Sequence, residues 1–195
     1  MKKIIVVAGL IAFSQAALAH TGLLPTGGFS HGFQHPFWGL DHFLVMLGLG
    51  LWASSQRRKL AWQAIGVFLS FMIVGVLFGL AGFGFAYVET AILISLLLVG
   101  AALSFSTTAK PAKLPKAIIL PSIALFAMMH GLAHGSALPV TASAYAYIAG
   151  IVSATAVLHV SGLALGLIAR CINAAGLIHI YGAITGLVGA WLLLA

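Results

Sequence analysis

The chain has 195 residues, of which 62% are hydrophobic and only 6% are charged, and its mean hydropathy is +1.16. Soluble domains have about 25% charged residues, so this composition excludes an ordinary soluble domain and predicts a chain that is solvated by lipid. The net charge of +7 comes from nine Lys and Arg residues against two acidic residues. Because the basic residues stand in short clusters between apolar runs, they indicate membrane topology and not a nucleic-acid partner. The single cysteine, Cys171, excludes an intramolecular disulfide and a CxxC metal site.

The first 19 residues have the pattern of a secretory signal peptide. Lys2 and Lys3 precede an apolar stretch over residues 4–13. Ala17-Leu18-Ala19 then forms a small-residue cleavage site. Cleavage would leave His20 at the new N-terminus, where its amine and imidazole can together chelate a metal ion. The alternative is an uncleaved first transmembrane helix.

Six apolar runs follow the signal, and each is near the roughly 20 residues that a helix needs to cross a bilayer. Residues 20–34 are Gly-rich and more polar, and they are predicted to form a short extramembrane or re-entrant segment. Pro36 then suits the first turn of the first crossing helix. We place the crossings at about residues 36–54, 60–82, 88–106, 117–137, 143–169 and 174–194. The predicted fold is therefore all-α, with one six-helix transmembrane domain over residues 20–195.

The basic residues predict the orientation of this bundle. They lie between runs one and two, three and four, and five and six, at Arg57, Arg58, Lys59, Lys110, Lys113, Lys116 and Arg170. These three connections fall on one side of six crossings, and the positive-inside rule makes that side cytoplasmic. The expected location is the bacterial inner membrane, with both ends of the mature chain in the periplasm.

Histidines and acidic residues recur at two depths when each helix is given a rise of about 1.5 Å per residue. The outer layer contains Asp41, His42, Glu89, His130 and His134. His159 and His179 fall near or below the midplane. Each of them begins an H-x2-G-x3-G pattern, whose glycines allow two helices to approach closely. Ionisable groups are costly in hydrocarbon and mark functional sites. The alternative for each single histidine is a structural hydrogen bond between helices.

Imidazole and carboxylate groups together suit a divalent transition metal such as zinc, copper, iron or nickel. Asp41 either binds the ion or accepts the N–H of a ligating histidine, and the sequence leaves both roles open. His31 and His35 are four residues apart at the outer mouth. They are either metal ligands or exposed loop residues. Three methionines lie near the outer histidines: Met46, Met128 and Met129. Each is either a ligand for Cu(I) or an ordinary packing residue.

Three segments of the chain resemble motifs of the HupE/UreJ family of bacterial membrane proteins. They are HPFWGLDH from His35 to His42, HGLAHG from His130 to Gly135, and HVSGLALG from His159 to Gly166. The resemblance covers essentially the whole chain. It implies an importer of nickel, and in some members cobalt, that supplies hydrogenase or urease. One departure is that Ser136-Ala137-Leu138 follows HGLAHG, where family members often have a glutamate.

The resemblance also implies which residues act on the metal. By this resemblance the candidate ligands are His35, Asp41, His42, His130 and His134. The positions described above add further candidates, namely His20, His31, Glu89, His159 and His179. Of these further candidates, Glu89 matches an acidic position of the family at the start of the third crossing.

The leading hypothesis is secondary or channel-like import of nickel or cobalt through a path lined by histidine and aspartate. No GxxxxGK[ST] motif is present, so the chain is not expected to hydrolyse ATP. It is predicted not to be an enzyme and to hold no prosthetic group. The expected partners are the divalent metal ion and the lipid bilayer, and a homo-oligomer is left open.

Two other classes of function are compatible with the same residues. One is an intramembrane zinc-dependent hydrolase that uses His42, His130 and His134 as ligands and Asp41 as the base. The other is a haem-binding electron carrier with paired axial histidines.

Overall fold

The computed structural model describes residues 28–105, 115–138 and 143–195, and these ranges contain α-helices and no strand. In chain order the helices are α1 Gly28–Trp38, α2 Leu40–Ala53, α3 Arg58–Leu80, α4 Val88–Ser104, α5 Lys116–Ser136, α6 Ala144–Cys171 and α7 Gly176–Leu194. The predicted all-α class is confirmed. The predicted signal peptide and His20 lie outside the described residues.

Four of these helices, α3, α5, α6 and α7, have 19 to 28 residues and are long and apolar enough to cross a membrane. Helices α2 and α4 are also apolar but shorter, with 14 and 17 residues. Large apolar side chains such as Leu177, Ile180 and Leu187 are exposed on α7, as expected where a helix faces lipid. The chain is therefore an all-α, multi-pass membrane protein, and the count of six crossings stays a prediction.

Helices α1 and α2 form one broken helix that runs parallel to α6. Gly32 of α1 packs against the backbone of Tyr147 near the start of α6, and Gly50 of α2 packs against Gly162 further along α6. A Cβ atom on Gly32 or on Gly50 would overlap a carbonyl oxygen of α6, so only glycine permits this approach. The break lies at Gly39, whose backbone is extended with φ −78° and ψ 106°.

The start of this broken helix differs from the sequence-based expectation. Residues 28–34 were expected outside the bundle or in a re-entrant segment, but they are helical and pack along α6. Pro36 was expected in the first turn of the first crossing, but it lies two residues before the end of α1. Proline lacks an N–H, so it weakens the helix just before the break at Gly39.

The directions of the helices follow from the residues that face each other. Helices α3 and α5 run parallel, since Gly75 faces Met128 and Gly79 faces Leu132. Helices α4 and α7 run antiparallel, since Gly100 faces Gly186 while the more C-terminal Gly189 faces the more N-terminal Leu96. These directions, together with the parallel run of α2 and α6, agree with the alternation that six successive crossings require.

The described basic side chains gather at one end of the bundle. Nε of Arg170, at the end of α6, donates a hydrogen bond of 3.3 Å to Oγ of Ser54, just after α2. The connection from α2 to α3 and the start of α5 lie at this same end, with Arg57, Arg58, Lys59 and Lys116. Lys110 and Lys113 lie outside the described residues. We call this end of the bundle the inner end and the opposite one the outer end.

Candidate metal site

Three histidines converge at the break between α1 and α2. One ring nitrogen from each of His35, His42 and His134 lies within 4.8 Å of those of the other two. His35 is in the last turn of α1, His42 in the first turn of α2, and His134 in the last turn of α5. Their exposed fractions are 8%, 2% and 0%. We call these residues the outer triad, because they lie in the outer half of the bundle.

Asp41 is hydrogen-bonded to the outer triad. Its Oδ1 accepts a hydrogen bond of 2.8 Å from Nδ1 of His42, and its side chain is 21% exposed. Gly39 makes room for this pair, since a Cβ atom there would lie 3.2 Å from both bonded atoms. A carboxylate in this position fixes the tautomer and the ring orientation of a histidine that binds metal through its other nitrogen. Of the two roles that the sequence left open, this geometry matches the supporting one.

His130 and His159 extend the outer triad toward the inner end. The ring of His130 lies 5.2 Å from that of His42 between centroids. Phe68 contacts both deeper histidines, with centroid distances of 5.8 Å to His130 and 4.8 Å to His159. The outer triad, His130 and His159 together form what we call the histidine column. It is enclosed by the α1–α2 broken helix, α3, α5 and α6.

Three members of the column share one hydrogen-bonding arrangement. Nδ1 of His130 donates to the carbonyl of Phe126 at 2.8 Å, and Nδ1 of His159 donates to the carbonyl of Met46 at 2.7 Å. In His42 the same atom donates to the Asp41 carboxylate. A neutral imidazole with hydrogen on Nδ1 has its lone pair on Nε2.

The other ring nitrogen of these three histidines, Nε2, is buried and can accept a hydrogen bond or bind a metal ion. Nε2 of His42, His130 and His159 has no hydrogen-bond partner among the described residues. Buried polar atoms are rarely left in this state. Ligating histidines characteristically donate their other N–H to a carbonyl or carboxylate, and imidazole suits zinc, copper, iron and nickel. The donor set therefore fits a transition-metal ion.

The remaining sequence-based candidates lie at the edge of the column or away from it. His31 is half-buried in α1, with its ring 6.4 Å from that of His35, so it extends the column outward. Glu89 is exposed in the first turn of α4, and its charge interacts with His42. His179 is half-buried on α7, whose glycines pack against α4, whereas His159 contacts α2 and α3. His159 and His179 thus belong to different helix interfaces.

Three residues that were not recognised from the sequence lie in or beside this column. Phe68 is an aromatic residue in an apolar run, and nothing in the sequence distinguishes it from packing. Tyr147 is fully buried beside His31, with 5.9 Å between ring centroids. Thr155 is fully buried one turn before His159. A hydroxyl on the same helix face as a candidate histidine was a signal that could have identified Thr155.

Comparison with known proteins agrees with the motifs. The sequence profile of the family described as HupE / UreJ protein matches residues 8–192. The chain belongs to the HupE/UreJ family. It is 35% identical over 161 residues to Protein HupE of Rhizobium leguminosarum bv. viciae, an alignment that covers 83% of this chain and 81% of that protein. No solved structure matches the chain significantly.

In this HupE/UreJ chain the three motif segments have distinct structural places. HPFWGLDH spans the helix break and contains His35, Asp41 and His42. HGLAHG supplies the two histidines of α5, and HVSGLALG supplies His159 and the glycines that face α2. The departure after HGLAHG lies at the outer end of α5, where Ser136 is exposed.

Proposed function

We propose that this protein imports a divalent transition-metal ion, nickel or cobalt, across the bacterial inner membrane through the histidine column. Transport is secondary or channel-like and supplies metalloenzymes such as hydrogenase or urease. The observation that carries the proposal is shared by the buried imidazoles of His42, His130 and His159. In each of them Nδ1 donates to an acceptor and Nε2 has no hydrogen-bond partner among the described residues. Membership of the HupE/UreJ family supports metal transport in general.

The order of the histidines supports passage of an ion and not storage at one point. His31 lies at the outer mouth, the outer triad follows, and His130 and His159 continue inward. The basic residues at the inner end support a cytoplasmic assignment for that end. Inward movement of a cation is then favoured by the membrane potential, by about 2.3 kcal/mol per charge at 100 mV.

Charge compensation also favours capture at the outer end. Burying an ion away from water is costly unless it is paired. The two acidic side chains of the chain, Asp41 and Glu89, lie in the first turns of α2 and α4. Both helices begin at the outer end, so both negative charges lie near the point where the cation loses its water.

The hydrolase alternative requires Asp41 to take a proton from a metal-bound water. Its Oδ1 accepts the hydrogen of His42 Nδ1, which is the arrangement of a carboxylate that orients a ligating histidine. The continuation of the column to His159, beyond the outer triad, also favours transport over a reaction at one centre.

Radiolabelled nickel uptake into liposomes that contain the purified full-length protein tests this proposal. His42→Ala removes a member of the outer triad and should reduce uptake to near the background of empty liposomes. His179→Ala is the matched control, since it removes a histidine outside the column and should keep most of the uptake. Uptake that is unchanged in His42→Ala, or lost equally in both variants, would reject the column as the path.

A further inference from the structure

Two thioether sulfurs converge on one hydroxyl inside the bundle, one helical turn before His159 on α6. Oγ1 of Thr155, on α6, lies 3.4 Å from Sδ of Met46 on α2 and 3.6 Å from Sδ of Met72 on α3. All three residues are fully buried. The sulfurs come from different helices, so their convergence depends on the tertiary packing of the bundle.

His159 is linked to one of the same residues, Met46. It lies one turn after Thr155 on α6, and its Nδ1 donates to the carbonyl of Met46. Met46 therefore contacts Thr155 through its sulfur and His159 through its backbone. Nε2 of His159 is buried and has no hydrogen-bond partner among the described residues. We call Met46, Met72, Thr155 and His159 the inner group.

Ordinary packing does not account for the position of the Thr155 hydroxyl. Methionine often fills gaps in apolar interiors, but a helical threonine commonly donates its hydroxyl to the carbonyl one turn earlier. Thr185 on α7 does so, with 2.9 Å to the carbonyl of Tyr181. Thr155 faces two sulfurs instead, and sulfur is a weak acceptor.

We propose that the inner group is a second metal site, which binds a soft ion of low charge through thioether sulfur. Thioethers select Cu(I) over harder ions, and Ag(I) has the same charge and similar softness, so it is a suitable probe. The site contains two thioethers, one hydroxyl and one imidazole, and thus has no charged member. A monovalent ion is less costly than a divalent ion to bury in such a neutral site. The site goes beyond the proposed import of nickel or cobalt and does not depend on it.

The test uses Ag(I) bound to the purified full-length protein in lipid nanodiscs, with X-ray absorption at the silver edge to identify the ligand atoms. Cys171 is an exposed free thiol, so every variant is made in a Cys171→Ser background. The parent should bind Ag(I) with sulfur in its coordination shell. The double variant Met46→Leu/Met72→Leu should lose the sulfur shell. Its Ag(I) affinity should fall by more than the roughly tenfold that loss of a supporting group costs a metal site, because the variant removes two direct ligands.

The controls separate this site from general damage and from the outer triad. Leucine has nearly the volume of methionine, so the double variant should fold. Met129→Leu is the matched control, since Met129 is also buried but is not among the sulfurs that contact Thr155; it should keep the sulfur shell. His42→Ala should also keep it, whatever its effect on nickel uptake. A parent with nitrogen ligands only, a sulfur shell that persists in the double variant, or one that is lost in Met129→Leu would overturn the proposal.

Discussion

The outer triad and the inner group lie in one bundle but differ in their access to charge. The outer triad lies at a helix break, beside the partly exposed Asp41. The inner group lies between uninterrupted stretches of α2, α3 and α6, and all four of its residues are fully buried. Both acidic side chains of the chain are at the outer end. In this bundle the acidic groups therefore lie near the ends of helices at the outer end, and the deeper donors are neutral.

Acidic pH should separate the two levels most strongly. Protons compete with metal for imidazole nitrogen, and the ordinary imidazole titrates near pH 6.5. Lowering the pH from 7.5 to about 5.5 should therefore weaken nickel binding to the outer triad by about tenfold or more. Silver binding to the inner group should fall less, because thioether sulfur takes up no proton in this range. Equilibrium dialysis of both ions at the two pH values makes the measurement, and parallel losses would contradict the distinction.

Removing the carboxylate should affect the outer level next most strongly. Asp41→Asn keeps the side-chain size but loses the negative charge and the fixed acceptor for Nδ1 of His42. Nickel affinity should fall by roughly 10- to 100-fold, as expected for a carboxylate that supports a ligating histidine. Calorimetric titration with nickel measures it. Glu89→Gln should have a smaller effect, since Glu89 is exposed and is not in the outer triad; a larger loss there would reverse the assigned roles.

The smallest expected effect concerns the hydroxyl of the inner group. Thr155→Val removes the hydroxyl but leaves both sulfurs and His159 in place. Silver affinity should fall only a few-fold, and the free energy of unfolding should change by about 1 kcal/mol or less, because the lost hydrogen bonds are weak. Silver titration and denaturant unfolding in detergent check both values, with Thr185→Val as the matched control on α7. A loss of silver binding equal to that of the methionine double variant would make Thr155 a principal ligand.

Much of the outer triad could be predicted from the sequence. The spacing of four between His130 and His134, and the depth of His42 in the opposite direction, placed these residues in one layer. The structure brings His42 and His134 together, but the third member of the triad is His35, which the sequence placed with His31 at the outer mouth and not in this layer. Helix α1, which precedes the break, was not predicted, because residues 28–34 are rich in glycine and polar side chains. Their helix is stabilised by close packing of Gly32 and Gly150 between α1 and α6, which local propensity does not reveal.

The inner group illustrates what a single sequence leaves undetermined. Helical periodicity tells which residues share a face, so Thr155 and His159 were recognisable as neighbours. It does not tell which helix covers that face. The answer depends on glycine contacts between helices distant in sequence, such as Gly50 with Gly162 and Gly75 with Met128. Those contacts bring Met46 and Met72 to Thr155.

The sequence was sufficient to predict that the chain lies in a membrane, that its basic residues gather at one end, and that its ionisable groups lie in layers. These properties depend on hydropathy and on a fixed rise per residue, and both are local. Three facts required the tertiary structure: His42 donates a hydrogen bond to the Asp41 carboxylate, His159 and His179 lie at different helix interfaces, and two sulfurs contact one hydroxyl. These facts depend on which helices are close neighbours, and in this bundle small residues on distant segments select the neighbours.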